Sequence, residues 1–421
     1  MPKFLDAGSM TERGRRQPRA ARGIWLLGPA LVAGVAYLDP GNVASNMTAG
    51  AQYGYLLVWV VVLGNLMAWL IQYLSAKLGI VTGESLPEVL GRRISRRPAR
   101  IAYWLQAELV AIATDLAEVI GGAVALNLLF DLPLIGGALI TGAVSMVLLT
   151  VQSRRGARHF EFVIIGLLVI IAIGFGAGIV IAPPDAAETA SGLIPRFDGT
   201  ESVLLAASIL GATIMPHAIY AHSALARDRF KPSPDRPKTR TLLRATRWDV
   251  TVAMVIAGAV NLAILLLAAS VLPGVAGTDS LEGAHAAIAV GVGPVVATLF
   301  AVGLLASGLA STSVGAYAGA EIMHGLLHRR IPLLARRLIS LIPAVVIVMI
   351  GVDPTRALVL SQVVLSFGIP FALVPLVAVT AKRGVLGRYS NRKITTIAGI
   401  IASALLIALN AALLVLTAAG A

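Results

Sequence analysis

Asp39 and Asn42 stand three residues apart, separated by Pro40 and Gly41, in the middle of an apolar run from about Gly23 to Gly50. An ionised carboxylate near a bilayer centre costs roughly 2.5–3.5 kcal/mol on insertion scales, and a cation is the simplest partner to offset it. Pro40 has no N–H, so the carbonyl of Ala36, four residues back, lacks a helical donor. The residue before a proline is pushed out of the α region, which sets Asp39 on unwound chain. The device recurs at Met215-Pro216-His217, inside a second apolar run from Ser202 to about Ala226, where Pro216 frees the carbonyl of Ala212. Two such interrupted spans, each opening one half of a chain, point to a shared central site. That candidate cation site holds Asp39, Asn42, Met215 and the carbonyls of Ala36 and Ala212. A thioether is soft and favours Mn, Fe, Co and Cd over Mg and Ca; the alternative is that Met215 simply packs. Gln362 lies mid-way along a later apolar run. It is either a further oxygen ligand or a helix–helix hydrogen-bonding group.

Titratable groups also recur where they are expensive. Glu108, Asp115 and Glu118 share one apolar run. At 100° per residue, offsets of seven and ten residues place them within an arc of about 80°. Such a stripe reads as a proton or ion route, unless Glu108 and Glu118 sit near the ends and face water. His217 either relays protons or packs as a neutral hydrogen-bonded ring. Arg336 and Arg337 open another apolar run, as interfacial anchors or as ion-pair partners of the carboxylate stripe. His324 and His328, four apart, have metal-ligand spacing but read more simply as an interfacial pair.

The elements that must position these residues are membrane helices. Hydrophobic residues make up 57% of the 421 and charged residues 13%, against about 25% charged in soluble domains. About eleven apolar spans are expected, at residues 24–49, 55–79, 100–128, 133–152, 160–182, 202–226, 248–272, 286–326, 333–351, 355–380 and 393–419. The eighth is long enough to hold a surface helix or a strong tilt. The chain carries 34 basic and 21 acidic residues. All the basic ones except Lys77, Arg196 and Arg356 fall in the tail or in the connections after even-numbered spans, whereas Asp131, Asp185, Glu188, Asp198, Glu201, Asp279, Glu282 and Asp353 fall on the other side. That asymmetry predicts a cytoplasmic N-terminus and an external C-terminus in a cell inner (plasma) membrane, and accounts for the net charge of +13 without nucleic acid. A Pro-rich linker at residues 232–237 divides the spans. The expected organisation is a basic cytoplasmic tail (1–22), a first five-helix repeat (23–182), a second, inverted five-helix repeat (201–380), and a cytoplasmic loop with an accessory eleventh helix (381–421). No cleavable leader is expected.

Cysteine is absent, which excludes disulfides and thiolate chemistry. The chain has no P-loop, Gly-x-Ser-x-Gly elbow or His-Glu-x-x-His pair, which argues against an ATPase or membrane hydrolase.

Asp39-Pro40-Gly41-Asn42 with Met215-Pro216-His217 closely resembles the Nramp family of proton-coupled divalent metal transporters. Gly28-Pro29-Ala30, Gln106-Ala107-Glu108, Thr114-Asp115-Leu116-Ala117-Glu118 and Ser361-Gln362 extend the resemblance over nearly the whole chain. One departure is Ser307-Gly308-Leu309-Ala310-Ser311-Thr312, where many members carry Gly-Gln-Ser-Ser-Thr. The resemblance implies an all-α integral membrane protein with a LeuT-like 5+5 inverted repeat and discontinuous helices 1 and 6. It implies metal ligation by Asp39, Asn42, Met215 and the carbonyl of Ala36, by that of Ala212 in the inward-facing state, and by Gln362 as the site occludes. It places Asp39, His217, Glu108, Asp115 and Glu118 on or beside a proton path, with Arg336 and Arg337 beyond.

The function so expected is import of Mn²⁺ or Fe²⁺ with protons by alternating access, not catalysis. Metal ions, protons and the lipid bilayer are the expected partners. No cofactor, no nucleic acid and no obligate protein partner is expected. A Na⁺-coupled organic-solute transporter of the same fold is the alternative; it requires a roomier site.

Overall fold

The computed structural model describes residues 28–155, 157–231, 237–329 and 332–419. The tail of residues 1–22 and the Pro-rich linker, Pro237 aside, lie outside them. Among the described residues the chain is helical throughout.

The first apolar run is two half-helices. α1 (Pro29–Val35) passes through a 3₁₀ turn, Ala36–Leu38, to Asp39, which is extended at φ −73° and ψ 163°; α2 (Pro40–Tyr53) then restarts with proline at its first position. α3 (Val58–Thr82), the short amphipathic α4 (Leu86–Arg93), α5 (Arg97–Phe130), α6 (Leu134–Arg155) and α7 (Ala157–Ile181) complete the first half. After a six-residue surface helix, α8 (Ala186–Ser191), the second interrupted span is α9 (Gly199–Thr213) and α10 (Pro216–Arg229). There follow α11 (Thr239–Val271), α12 (Leu281–Gly291), α13 (Pro294–Leu327), α14 (Leu333–Met349), α15 (Pro354–Ala381), α16 (Arg383–Leu386) and α17 (Lys393–Ala418). Among the described residues eight stretches are long and apolar enough to cross a membrane, the α9–α10 pair counting as one. The interrupted first run, α6 and the 17-residue α14 are shorter apolar elements beside them. The eighth expected span is two helices: Gly293, at φ 127°, takes a conformation L residues avoid, and Pro294 restarts the chain. Its first part, α12, is the separate helix that the excess length suggested.

The burial pattern suits a bilayer. Large apolar side chains such as Val180, Val255 and Ile394 are exposed at the perimeter, while Asp39, Asn42, Gln72, Glu118 and Gln362 are sealed inside. α5 and α13 pack along each other at the centre, α14 and α6 flank α5, and the two interrupted spans lean on this group. α17 packs on α15 and α9, where Asn410 both accepts from the Ser366 hydroxyl (2.8 Å) and donates to its carbonyl (2.9 Å).

On the basic face one arginine ties three helices together. Arg227, at the end of α10, meets Glu88 of α4 at 2.7 Å, Asp228 at 3.0 Å and Glu321 of α13 at 3.1 Å. Glu88 also accepts from the Ser85 N–H in a capping box. Burial pushes the Glu88 carboxyl up, but the Ser85 N–H and Arg227 outweigh it and hold it below the usual 4.5. Its contribution is therefore present at neutral pH and is lost as pH falls below 4.5, through the lower folded value. Glu88→Gln should lower the melting temperature in detergent at pH 7, by the equivalent of roughly 1–3 kcal/mol. The gap from the unmodified protein should close on acidification through that window.

Candidate metal site and its buried ion-pair network

Both helix breaks converge on one residue of α15. A Cβ on Gly41 would lie 1.8 Å from Gln362 Nε2, and one on Gly211 would lie 2.0 Å from the Gln362 carbonyl oxygen. Only glycine lets α15 sit this close to both breaks. Gln362 Nε2 donates to Asp39 Oδ2 at 3.0 Å, and the Asn42 N–H donates to Asp39 Oδ1 at 2.8 Å. Asp39 thus caps α2 while facing α15. Asp39, Asn42, Ala36, Ala212 and Gln362 are fully buried, and so is Met215, on the extended link (φ −43°, ψ 119°) between α9 and α10.

Three helices step from the outside to this point one turn at a time. A cavity of about 620 Å³ opens on the acidic face, lined by Thr48, Leu205 and Val359 and by Glu201, Asp279 and Asp353. Three residues deeper on α2 and α9, the Ser45 and Ser208 hydroxyls bond at 2.6 Å, and Ser208 donates to the Val359 carbonyl at 3.0 Å. Three residues deeper again stand Asn42, Gly211 and Gln362. On the opposite side the route is shut: Gln72 donates to the Tyr37 hydroxyl through Nε2 and accepts from His222 Nδ1 through Oε1 (2.6 Å), and Asp249 of α11 receives the N–H groups of Gly28 and Ala30 at 3.2 and 3.0 Å.

The unwound backbone is held by amides and hydroxyls. Asn42 and Asn261 both donate to the Tyr37 carbonyl (2.5 and 3.1 Å), and Ser307 donates to that of Leu38. Three buried amide oxygens, Asn46 Oδ1, Asn261 Oδ1 and Gln362 Oε1, have no hydrogen-bond partner. Each such orphan costs about 1–3 kcal/mol, and all are acceptors, the chemistry that a hydrated or partly stripped cation satisfies. Among the described residues no cluster of three or more His, Cys, Asp or Glu could hold a metal. The site as built sets one carboxylate among neutral amide groups.

The carboxylate stripe is paired, and the interfacial-anchor reading of the arginines is overturned. Arg336 and Arg337, 5% and 1% exposed, point into the bundle because α14 packs against α5 and α6. Arg336 meets both Glu108 oxygens at 2.9 Å. Arg337 lies 2.7 Å from Asp115 and 3.3 Å from Glu118, and donates to the Ser145 and Thr312 hydroxyls. Glu118 is fully buried, so the water-facing reading fails for it. Room for the network comes from α13: a Cβ on Gly315 would meet Glu118 Oε1 at 3.1 Å, and one on Gly319 would meet the Arg336 guanidinium carbon at 2.2 Å. His217 is buried, with Nδ1 3.2 Å from the Thr114 hydroxyl and Nε2 unpartnered. His328 ends α13 at φ 55°.

Sequence reasoning missed Ser45, Asn46, Ser208, Asn261, Ser307 and Thr312, which complete the polar lining. Their signal was faint: small polar residues inside apolar runs, the last two within the segment that departs from the family pattern. Arg337→Met should strand Asp115 and Glu118 as uncompensated buried charges, at a cost of roughly 3–5 kcal/mol. A melting curve in detergent should show the loss, and adding Asp115→Asn and Glu118→Gln should recover most of it.

A family model for natural resistance-associated macrophage protein-like (Nramp) proteins matches residues 30–416. The chain is 60% identical over 396 residues to the divalent metal cation transporter MntH of Mycobacterium tuberculosis, covering 94% of this chain and 92% of that one. It is 47% identical over 400 residues to the Bacillus subtilis MntH, covering 94% and 93%. The solved Eremococcus coleocola manganese transporter superposes with a TM-score of 0.82 at 31% identity, over 96% of this chain and 90% of that chain. Mhp1, a nucleobase-cation-symport-1 transporter, shares the fold at a TM-score of 0.59 and 15% identity. On the helix breaks, the paired carboxylate stripe and these matches, the chain is a multi-pass membrane transporter that belongs to the Nramp family.

Proposed function

We propose that this protein imports divalent transition metal ions, Mn²⁺ and Fe²⁺ among them, together with protons and by alternating access. The observation that carries the reading is the contact of Asp39 with Gln362 where two proline breaks meet, beneath an acidic cavity. Glu201, Asp279 and Asp353 at the cavity raise the local cation concentration. A metal ion passing the Ser45–Ser208 layer sheds water for the Asp39 carboxylate, the Asn42 oxygen, the Ala36 carbonyl and the Met215 sulfur. Rotation of the Gln362 amide then presents its unpartnered Oε1 in place of Nε2. The ion offsets the cost of ionised Asp39, which favours the closed arrangement. α1 and α10 swing against the group of α5, α6, α13 and α14, breaking the Tyr37–Gln72–His222 chain and the Arg227 pairs. The Ala212 carbonyl joins the metal as the inner side opens.

Protons take the second route. From Asp39 the route passes His217, which meets the Thr114 hydroxyl, and Asp115, Glu118 and Glu108 continue along α5 to Arg337 and Arg336. The two routes meet at Asp39 and diverge beyond it, so a dication and protons move together with that one side chain in common. The basic face lies in the cytoplasm of a cell (plasma) membrane by the positive-inside rule, with the N-terminus inside and the C-terminus outside. The tight fit of Gln362 against Gly41 leaves no room for an organic solute.

In proteoliposomes holding a pH dye, Mn²⁺ uptake should acidify the lumen, and Asp39→Ala should abolish both signals; uptake at near-normal rate would remove the cation site. Met215→Ala should keep much of the Mn²⁺ flux but admit Ca²⁺ or Mg²⁺, since the soft ligand is what disfavours them. Unchanged discrimination between the ions would take the sulfur out of the site.

A further inference from the structure

The connection between α15 and α17 carries a concentration of positive charge that transport does not use. A cavity of about 590 Å³ is lined by Arg383, Arg388, Ser390, Asn391, Arg392 and Lys393. Some cations elsewhere on this face are paired, as Arg92 is with Glu84 and Arg227 with its three carboxylates. None of the four cations here pairs with a carboxylate among the described residues. The floor is fixed. Asn391 donates to the Thr380 hydroxyl at 2.8 Å through its side chain and to the Thr380 carbonyl at 2.9 Å through its N–H, and it accepts from Lys77 of α3. Arg383 stands two residues beyond the end of α15, and Arg392 immediately precedes α17. The cavity therefore sits at the depth where two membrane helices emerge, which is the headgroup layer. On the first two turns of α17, Ile394, Ile397 and Ile401 lie on one side and are 81%, 54% and 54% exposed, as acyl-chain contacts would be.

We propose that this cavity binds the phosphate headgroup of an anionic phospholipid, with its acyl chains along Ile394, Ile397 and Ile401. Four cations supply the charge, the first N–H groups of α17 add their dipole, and basic pockets between membrane helices suit such headgroups.

The test titrates the purified full chain in neutral detergent with phosphatidylglycerol, phosphatidylcholine or soluble glycerol phosphate, read by native mass spectrometry. Phosphatidylglycerol should bind in preference to both others. The variant R383Q/R388Q/R392Q/K393Q should lose at least about tenfold in affinity, since each cation near a membrane surface contributes about 1 kcal/mol. The control R93Q/R96Q/R97Q/R240Q, which removes equal charge elsewhere on the same face, should change it by less than about twofold. Should the fourfold variant fail to fold, R388Q and R392Q singly should each weaken binding about fivefold. Equal loss in the control would assign the binding to diffuse surface charge and overturn the proposal. So would glycerol phosphate binding as tightly as the lipid, or phosphatidylcholine binding as well as phosphatidylglycerol.

Discussion

A proline in the middle of a membrane helix removes the one N–H that the carbonyl four residues back needs, and lipid offers no substitute. Pro40 and Pro216 each impose this, and the rest of the molecule accommodates it. Asn42, Asn261 and Ser307 hold the carbonyls of Tyr37 and Leu38. Gly41 and Gly211 bring α15 within contact of both breaks, so that Gln362 touches the Asp39 carboxylate. Irregular backbone at membrane depth persists only where protein or a water-filled cavity surrounds it. Here the surrounding protein is the group of long helices α5, α11, α13 and α15.

The same constraint separates two kinds of charge. Asp39 has no cationic partner among the described residues and bonds only neutral groups, the Asn42 N–H and the Gln362 amide. Asp115 and Glu118 share Arg337, and Glu108 has Arg336. Their attraction is little screened away from water, and the Ser145 and Thr312 hydroxyls accept from two further nitrogens of Arg337. One carboxylate therefore lacks a cationic partner among the described residues while the others are engaged with a fixed positive charge. This division suits a transporter that moves a dication and protons through one bundle by different paths.

Much of this was legible before the structure. The two breaks follow from proline chemistry, which is local, and the carboxylate stripe follows from helical periodicity. The Gln362 position was visible as a polar residue in an apolar run, but its contact with Asp39 depends on two glycines far apart in the chain, one on α2 and one on α9. Arg336 and Arg337 were ambiguous because an arginine at the start of a short span reads alike whether it turns to water or inward; packing against α5 decides. Ser45, Ser208 and Thr312 were hidden for another reason. Serine and threonine in helices often bond their own backbone one turn back, as Thr213 and Thr380 do here, and nothing local tells which hydroxyls also reach across, as Ser45 and Thr312 do while bonding Gly41 and Gly308. The extra length of the eighth span suggested a surface helix, and Gly293-Pro294 is where the chain makes it.

The central claim is that a transition-metal ion sits between Asp39 with its neighbouring oxygens and the Met215 thioether. X-ray absorption at the manganese edge, on Mn²⁺-loaded protein and on its Met215→Leu variant, tests it most directly. The account predicts a sulfur scatterer in the first shell of the unmodified protein that disappears in the variant. A first shell made of oxygen alone in both samples would contradict it.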